Sequence, residues 1–312
     1  MAIPPSQSGY FSSLDETSLY YEVYGTRLES HKRPQKTTPR QDHLQSQSLP
    51  SLFLLQGLAC QIGHWQKQID YFSTTHRVIA MDYRGMHRSQ RPRLDSHLTL
   101  EWAARDALAL VDHLNIKEPV YFCGHSMGVP LSAYVTRLAP ERVAKLIWIC
   151  GSLDDPLRHL LFSEWAAPLF RLISKTAQLT GGALDAWWRF AVAPNAVNLF
   201  LIGELGFNSQ AAPDQAIRSY LQGVSEIPFD VFVAFLEDYR KVASLLNPFP
   251  LRMPLLMIAG THDCIIPFEN QIKLHQQLSD AEFVPIDSAS HNAHVDFPEL
   301  TNRAIAKFLA PK

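Results

Sequence analysis

Cysteine is scarce and scattered. Cys60, Cys123, Cys150 and Cys264 are four in 312 residues, with no C-x-x-C pair and no histidine at zinc-finger spacing. Neither a disulfide framework nor a structural zinc site is expected, and the thiols are read as free. A surplus of positive charge is missing too. Lys and Arg number 28 against 30 Asp and Glu, a formal net charge of −2, which leaves no overall basic field for nucleic acid or an anionic membrane. No uninterrupted apolar run approaches the roughly 20 residues of a membrane span. Met1 to Gly9 has neither the basic start nor the apolar stretch of a secretory leader. These absences together predict a soluble, cytoplasmic protein.

What is present is enough apolar material, 46% of the chain, for one large domain or one domain with an insert. Two β-like runs between Gly9 and Gly25 read as an opening antiparallel pair at a sheet edge. Residues 26–50 turn polar and rich in turn formers, a solvated insertion. Apolar strands follow at Ser51–Leu55, Arg77–Met81, Val120–Cys123 and Val143–Cys150. Helical patterns separate them at His64–Phe72, from Thr99 to near Asn115, and at Val129–Leu138. Continuous apolar strands alternating with amphipathic helices predict an α/β fold with a mostly parallel central sheet, flanked by helices on both faces.

Between Gly151 and Pro250 the alternation stops and helical spacing takes over. Ile217, Tyr220, Leu221 and Val224 form one stripe, and Phe229, Phe232, Val233 and Leu236 another. Strand and helix resume with Pro254–Ala259, a helix near Pro267–Leu278, a strand at Glu282–Ile286 and a helix from about Pro298 to Leu309. Residues 1–150 and 250–312 are therefore expected to build one core, and 151–249 an inserted helical cap.

The strand at Val120 runs into Gly124-His125-Ser126-Met127-Gly128, after which the helical pattern begins. This is G-x-S-x-G in a strand–turn–helix setting. A serine nucleophile there stands on a turn so sharp that only small residues two before and two after let strand and helix approach. A serine hydroxyl also needs a base, and the base needs an acid to fix its tautomer. Asp263, in Gly260-Thr261-His262-Asp263, and His291, in Ser288-Ala289-Ser290-His291, both follow strands, where open parallel sheets place their sites. His294 competes for the base, and Asp154 or Asp155 for the acid; Asp263 and His291 are favoured.

These residues carry a resemblance. Gly124-His125-Ser126-Met127-Gly128, Asp82-x-Arg84-Gly85 with Ser89, Gly260-x-x-Asp263, and His291 followed by Pro298-Glu299 resemble the α/β-hydrolase fold superfamily. Within it the chain is similar to the capped esterase, lipase and carbon–carbon hydrolase group. The resemblance spans nearly the whole chain except 26–50, and the distance from His291 to Pro298 separates it from His294. It implies a triad of Ser126, Asp263 and His291, and an oxyanion hole from the backbone N–H groups of Leu58 and Met127.

Three positions depart from the family pattern: Gln56-Gly57 stands where His-Gly is common, Ser290 replaces a glycine, and His87 replaces another. Ser126 argues against the halide-releasing and epoxide-opening relatives, which need an aspartate there. Phe162, Trp165, Phe170, Trp187, Trp188, Phe190, Phe200 and Phe207 concentrate aromatic surface in the cap and suggest a mainly apolar pocket.

The reading is a serine hydrolase that cleaves a small to medium, mainly hydrophobic carboxylic ester through an acyl-enzyme, without metal or cofactor. Carbon–carbon or lactone hydrolysis on the same triad is one rival. For the former, Arg158, Arg171, Arg189 or Arg218 could bind a substrate carboxylate. A non-catalytic small-molecule receptor is the other rival.

Overall fold

Eight strands form one sheet in the order β1-β2-β4-β3-β5-β6-β7-β8. The structure, a computed structural model, describes residues 2–25, 49–158, 176, 184–242, 252–278 and 280–311. The polar insertion expected over 26–50 lies outside them except for its last two residues.

β1 (Gln7–Ser12) and β2 (Ser18–Tyr24) pair antiparallel at one edge, and β2 pairs antiparallel with β4 (Arg77–Met81). From β4 onward every pairing is parallel, through β3 (Ser51–Leu55), β5 (Val120–His125), β6 (Val143–Ile149), β7 (Leu255–Gly260) and β8 (Glu282–Ile286). The mostly parallel sheet expected from the alternation is the one observed, with the opening hairpin at its edge.

β3 is buried at all five residues, because helices cover both faces of the sheet. Phe53 and Leu55 point into one core, and Leu52 and Leu54 into the other. The first core is closed by α2 (Leu100–His113), α3 (Gly128–Leu138) and α8 (Phe268–Gln277). The second is closed by α1 (Gln66–Phe72), the short α9 (Ala293–Asp296) and α10 (Pro298–Leu309). Helix α2 begins where its cap residue predicts: the Trp102 N–H donates to Thr99 Oγ1 at 3.2 Å, satisfying one of the donors a helix start leaves open.

Between β6 and β7 the described chain includes the helices α4 (Asp185–Ala191), α5 (Ala196–Gly206), α6 (Asp214–Glu226) and α7 (Phe229–Arg240). Ile217, Leu221 and Val224 are buried on α6, as their spacing predicts. Helix α7 differs from its expected single stripe. Val231 and Phe235 are buried along with Phe229 and Val233, while Phe232 and Leu236 face a cavity described below. No helix among the described residues is long and apolar enough to cross a membrane.

Candidate active site

β5 ends in the turn that lifts Ser126 above the sheet. Ser126 has φ of 52°, left-handed backbone that costs a non-glycine residue of order 1 kcal/mol or more. Its N–H donates to Ile149 O at 3.0 Å, and its carbonyl accepts from the Val129 N–H at 3.0 Å, so the strained turn is held from both sides. The flanking glycines are required by contact. A Cβ at Gly124 would lie 2.3 Å from Gly128 O, and one at Gly128 only 2.1 Å from Leu55 O.

His291, in the loop after β8, reaches this serine: its Nε2 is 2.9 Å from Ser126 Oγ. On the far side of the ring, Nδ1 lies 3.1 and 3.0 Å from the two carboxylate oxygens of Asp263. An ionised carboxylate only accepts, so Nδ1 carries the ring hydrogen and Nε2 presents a lone pair to the serine hydroxyl. Asp263 is fully buried and stays oriented because its Oδ1 accepts from the backbone N–H groups of Ile265 and Ile266 at 2.9 and 2.8 Å, and its Oδ2 from Gln271 Nε2 at 3.2 Å. Gln271 was not singled out in the sequence, since nothing local marks a glutamine on α8 as an aspartate's partner.

The competing residues are engaged elsewhere. Asp155 accepts from Arg240 Nε at 3.3 Å and from the Leu157 N–H at 3.0 Å, and Asp154 accepts from the Asp155 N–H. His294 is 1% exposed behind the site, its ring 4.6 Å from that of Trp65 and 4.4 Å from that of His125. Burial, with His64 and His291 nearby, pushes its pKa well below the usual histidine range.

His125 is likewise held neutral by burial and by His294 and His291. Its Nε2 lies 2.9 Å from the His291 carbonyl, an acceptor only, so Nε2 is the protonated nitrogen. The residue before the nucleophile thereby holds the loop of the base.

Opposite Ser126 runs the segment after β3. A Cβ at Gly57 would stand 3.0 Å from His125 Nδ1 and 3.2 Å from Ser126 Cβ, so this backbone passes directly over the nucleophile. Among the described residues, neither the Leu58 nor the Met127 backbone N–H donates to another residue, and Leu58 lies beside Ser126 at the cavity. Gln56 points away: its side-chain Nε2 donates to Met81 O at 2.7 Å, and its backbone carbonyl accepts from Tyr83 Oη at 2.9 Å. The departure at 56 therefore fixes the segment to β4 and contributes no side chain to the site.

Arg84 and Asp82, of the Asp82-x-Arg84-Gly85 run, also serve architecture. Buried Arg84 pairs with Asp106 of α2 through Nε at 2.7 Å and Nη2 at 2.5 Å, and with Asp15 at 2.9 Å. Asp82 pairs with Arg88 at 2.6 Å. His87 holds φ of 49° where the family pattern has glycine, and its Nε2 lies 3.3 Å from Cys60 O.

A cavity of about 230 Å³ opens onto Ser126 and His291. Pro156, Leu157, Ile202, Leu205, Phe232 and Leu236 make much of its wall. Of the aromatic residues concentrated in the cap sequence, Phe207 lines it. Trp187, Phe190 and Phe200 are instead 58%, 81% and 67% exposed, Trp188 packs on Phe229 and Phe232, and Phe162, Trp165 and Phe170 lie outside the described residues. Arg189 and Arg218 are exposed and away from the cavity, while Arg171 and the side chain of Arg158 lie outside what is described. No Lys or Arg lines the cavity among the described residues. All four cysteines are free, and burial pushes the Cys60 thiol beside the site up to about 12.

The alpha/beta hydrolase fold family model matches residues 50–298. Protein ABHD8 of Bos taurus is 25% identical over 259 residues, covering 83% of this chain and 55% of that protein; the chain thus spans about half the length of this relative. Among solved structures, a thermophilic esterase from Thermogutta terrifontis superposes with a TM-score of 0.73 at 21% identity, covering 97% of this chain and 98% of the other. The enol-lactonase from Burkholderia xenovorans LB400 does so with 0.72 at 19%, covering 96% and 99%. At these identities the two structures speak for the fold alone.

Proposed function

The chain belongs to the α/β-hydrolase fold family, and on that premise we propose that it is a serine hydrolase cleaving small to medium, mainly hydrophobic carboxylic esters in the cytoplasm. The observation that carries this reading is the position of His291, within hydrogen-bond reach of both Ser126 Oγ and Asp263. Ser126 attacks the ester carbonyl as His291 Nε2 takes its proton. The ionised Asp263 stabilises the imidazolium so formed. Charge developing on the carbonyl oxygen meets the free N–H groups of Leu58 and Met127, each worth about 3 kcal/mol in such sites.

His291 then returns the proton to the leaving alcohol, and water, deprotonated by the same nitrogen, releases the acyl group from Ser126. Helices α4–α7 act as the cap, and their inward side chains accept the apolar part of the substrate. The apolar wall of Pro156, Leu157, Ile202, Leu205, Phe232 and Leu236 favours an uncharged ester over the carboxylate-bearing substrate of a carbon–carbon hydrolase, because a carboxylate buried against apolar side chains is costly.

A fluorophosphonate probe tests the reading. Wild type should be labelled and Ser126→Ala should not, with turnover of p-nitrophenyl esters falling at least about 10⁴-fold. Folded wild-type protein that neither labels nor hydrolyses any ester in a chain-length panel would make this a binding protein.

A further inference from the structure

The loop that carries His291 is fastened to the cap helix that walls the cavity. Asn292 Nδ2 donates to Gly206 O, the last carbonyl of α5, at 2.6 Å. Ser290 Oγ lies 2.9 Å from the same carbonyl and 2.6 Å from Asp296 Oδ2. Its single hydrogen goes to one of the two, so Asn292 is the unconditional donor to α5. Asp296 completes the tie from the other side. Its Oδ1 accepts from the Asn208 N–H at 3.1 Å and its Oδ2 from the Ser290 N–H at 2.9 Å, while Asn208 Nδ2 donates to Ser288 O at 2.8 Å.

The residues on both sides of His291 therefore meet one helix end, at a buried place where an unpaired carbonyl would be costly. That same helix end presents Ile202, Leu205 and Gly206 to the cavity, followed by Phe207. Ser290, where the family pattern has glycine, supplies the hydroxyl that joins Asp296 to this cluster. A glycine could not.

We propose that Asn292 and Asp296 are positioning residues that make the end of α5 and the His291 loop one body, so that the wall holding the acyl chain and the general base are placed together. This rests on the ester-hydrolase reading for its consequence, although the mechanical coupling does not. An acyl chain long enough to lean on Ile202 and Leu205 is aligned by a wall that is tied to the base. Acetyl is too short to use it. Chain-length preference is then expressed in kcat, whereas a wall independent of the base would express it in KM.

The test compares p-nitrophenyl acetate and hexanoate on wild type, Asn292→Ala and Asn292→Asp, the last keeping the shape while losing the donor. Both variants should lose about threefold in kcat on acetate and about thirtyfold on hexanoate, with KM for each ester within about twofold. An equal fall on both esters, or a fall carried by KM, overturns the proposal. Amide hydrogen exchange of the folded proteins supplies a readout independent of turnover. Residues 204–208 and 289–295 should loosen together in both variants. Protection kept at 204–208 while 289–295 opens would show that they are not one body. If wild type hydrolyses neither ester but the two segments still loosen together, the coupling stands and the ester reading falls.

Discussion

The sheet and helices α4 and α5 treat their large side chains in opposite ways, while α7 buries Phe229, Phe235 and Tyr239 as the sheet does. In the sheet, residues such as Phe53, Phe122 and Trp148 are within 2% of full burial, and the loops beyond β5, β7 and β8 bring Ser126, Asp263 and His291 together at hydrogen-bond distances. In the helical segment Trp187, Phe190 and Phe200 stand in solvent, and smaller residues such as Leu205 and Leu236 line the cavity. On the proposed function the difference separates two jobs, joined where Asn292 and Asp296 tie α5 to the His291 loop. Chemistry needs groups held to fractions of an ångström, which close packing supplies. Substrate choice needs only a surface of the right size and polarity.

If the sheet carries the chemistry, its largest vulnerability after Ser126 is the tautomer of His291. Asp263→Asn presents an amide to Nδ1. The donors from Ile265 and Ile266 keep the side-chain oxygen on their side and turn the NH₂ toward the ring, so Nδ1 becomes an acceptor and Nε2 is protonated. Turnover should drop by about 10⁴-fold with little change in melting temperature. Steady-state kinetics beside a thermal melt checks this, and near-normal turnover would remove Asp263 from the mechanism.

Architecture should fail differently from chemistry. Asp106→Ala leaves the Arg84 guanidinium buried with only Asp15, at 2.9 Å, still bearing an opposite charge. Breaking a buried pair in this way costs about 3–5 kcal/mol. Denaturant unfolding should show that loss of stability, while kcat of the protein that remains folded stays within about threefold. A collapse of kcat in well-folded Asp106→Ala would mean that the Arg84 network reaches the site and that the two jobs are less separable.

On the helical side the largest effect should be on selectivity. Leu236→Ala on α7 widens the cavity by the volume of a few methylene groups. Unlike α5, α7 has no hydrogen bond to the His291 loop among the described residues, so here KM should rise about tenfold for the best-fitting ester and the preferred acyl chain should lengthen by one or two carbons, with kcat within about threefold. A chain-length series reads this directly, and an unchanged optimum would mean that the acyl group does not lie against α7.

The same contrast explains what could be read from the sequence. The strands, their mostly parallel pairing and the helices between them were legible because burial on two faces writes continuous apolar runs, and Ser126, Asp263 and His291 stood out as candidates because each follows such a run in a fixed chain order. The role of Gln56 was not, since its partner, Met81 O, is on another strand. Nor were Asn292 and Asp296, whose partners Gly206 and Asn208 lie far away in the chain, nor Gln271, since no local pattern marks a helix glutamine as the partner of Asp263 in the preceding loop. The helical segment was legible only as helix. Composition gathers its aromatics without saying which face they take; among the described residues those lining the cavity are Phe207, Tyr220, Phe232 and Tyr239.

The smallest effect belongs to the side chains the sequence made most conspicuous. Phe200 is 67% exposed on α5, so little of its ring leaves water on folding and little transfer energy depends on it. Phe200→Ser should change stability by no more than about 0.5 kcal/mol and leave both kcat and KM within about twofold. It should raise the concentration at which the protein stays monodisperse, because Phe200 with exposed Val197 and Leu201 makes an apolar patch on α5 that favours self-association rather than folding. Thermal melts and light scattering of the purified variant check both parts. A loss of several kcal/mol would show that Phe200 is packed, and the line between a close-packed sheet and a loosely packed helical segment would have to be redrawn at α5.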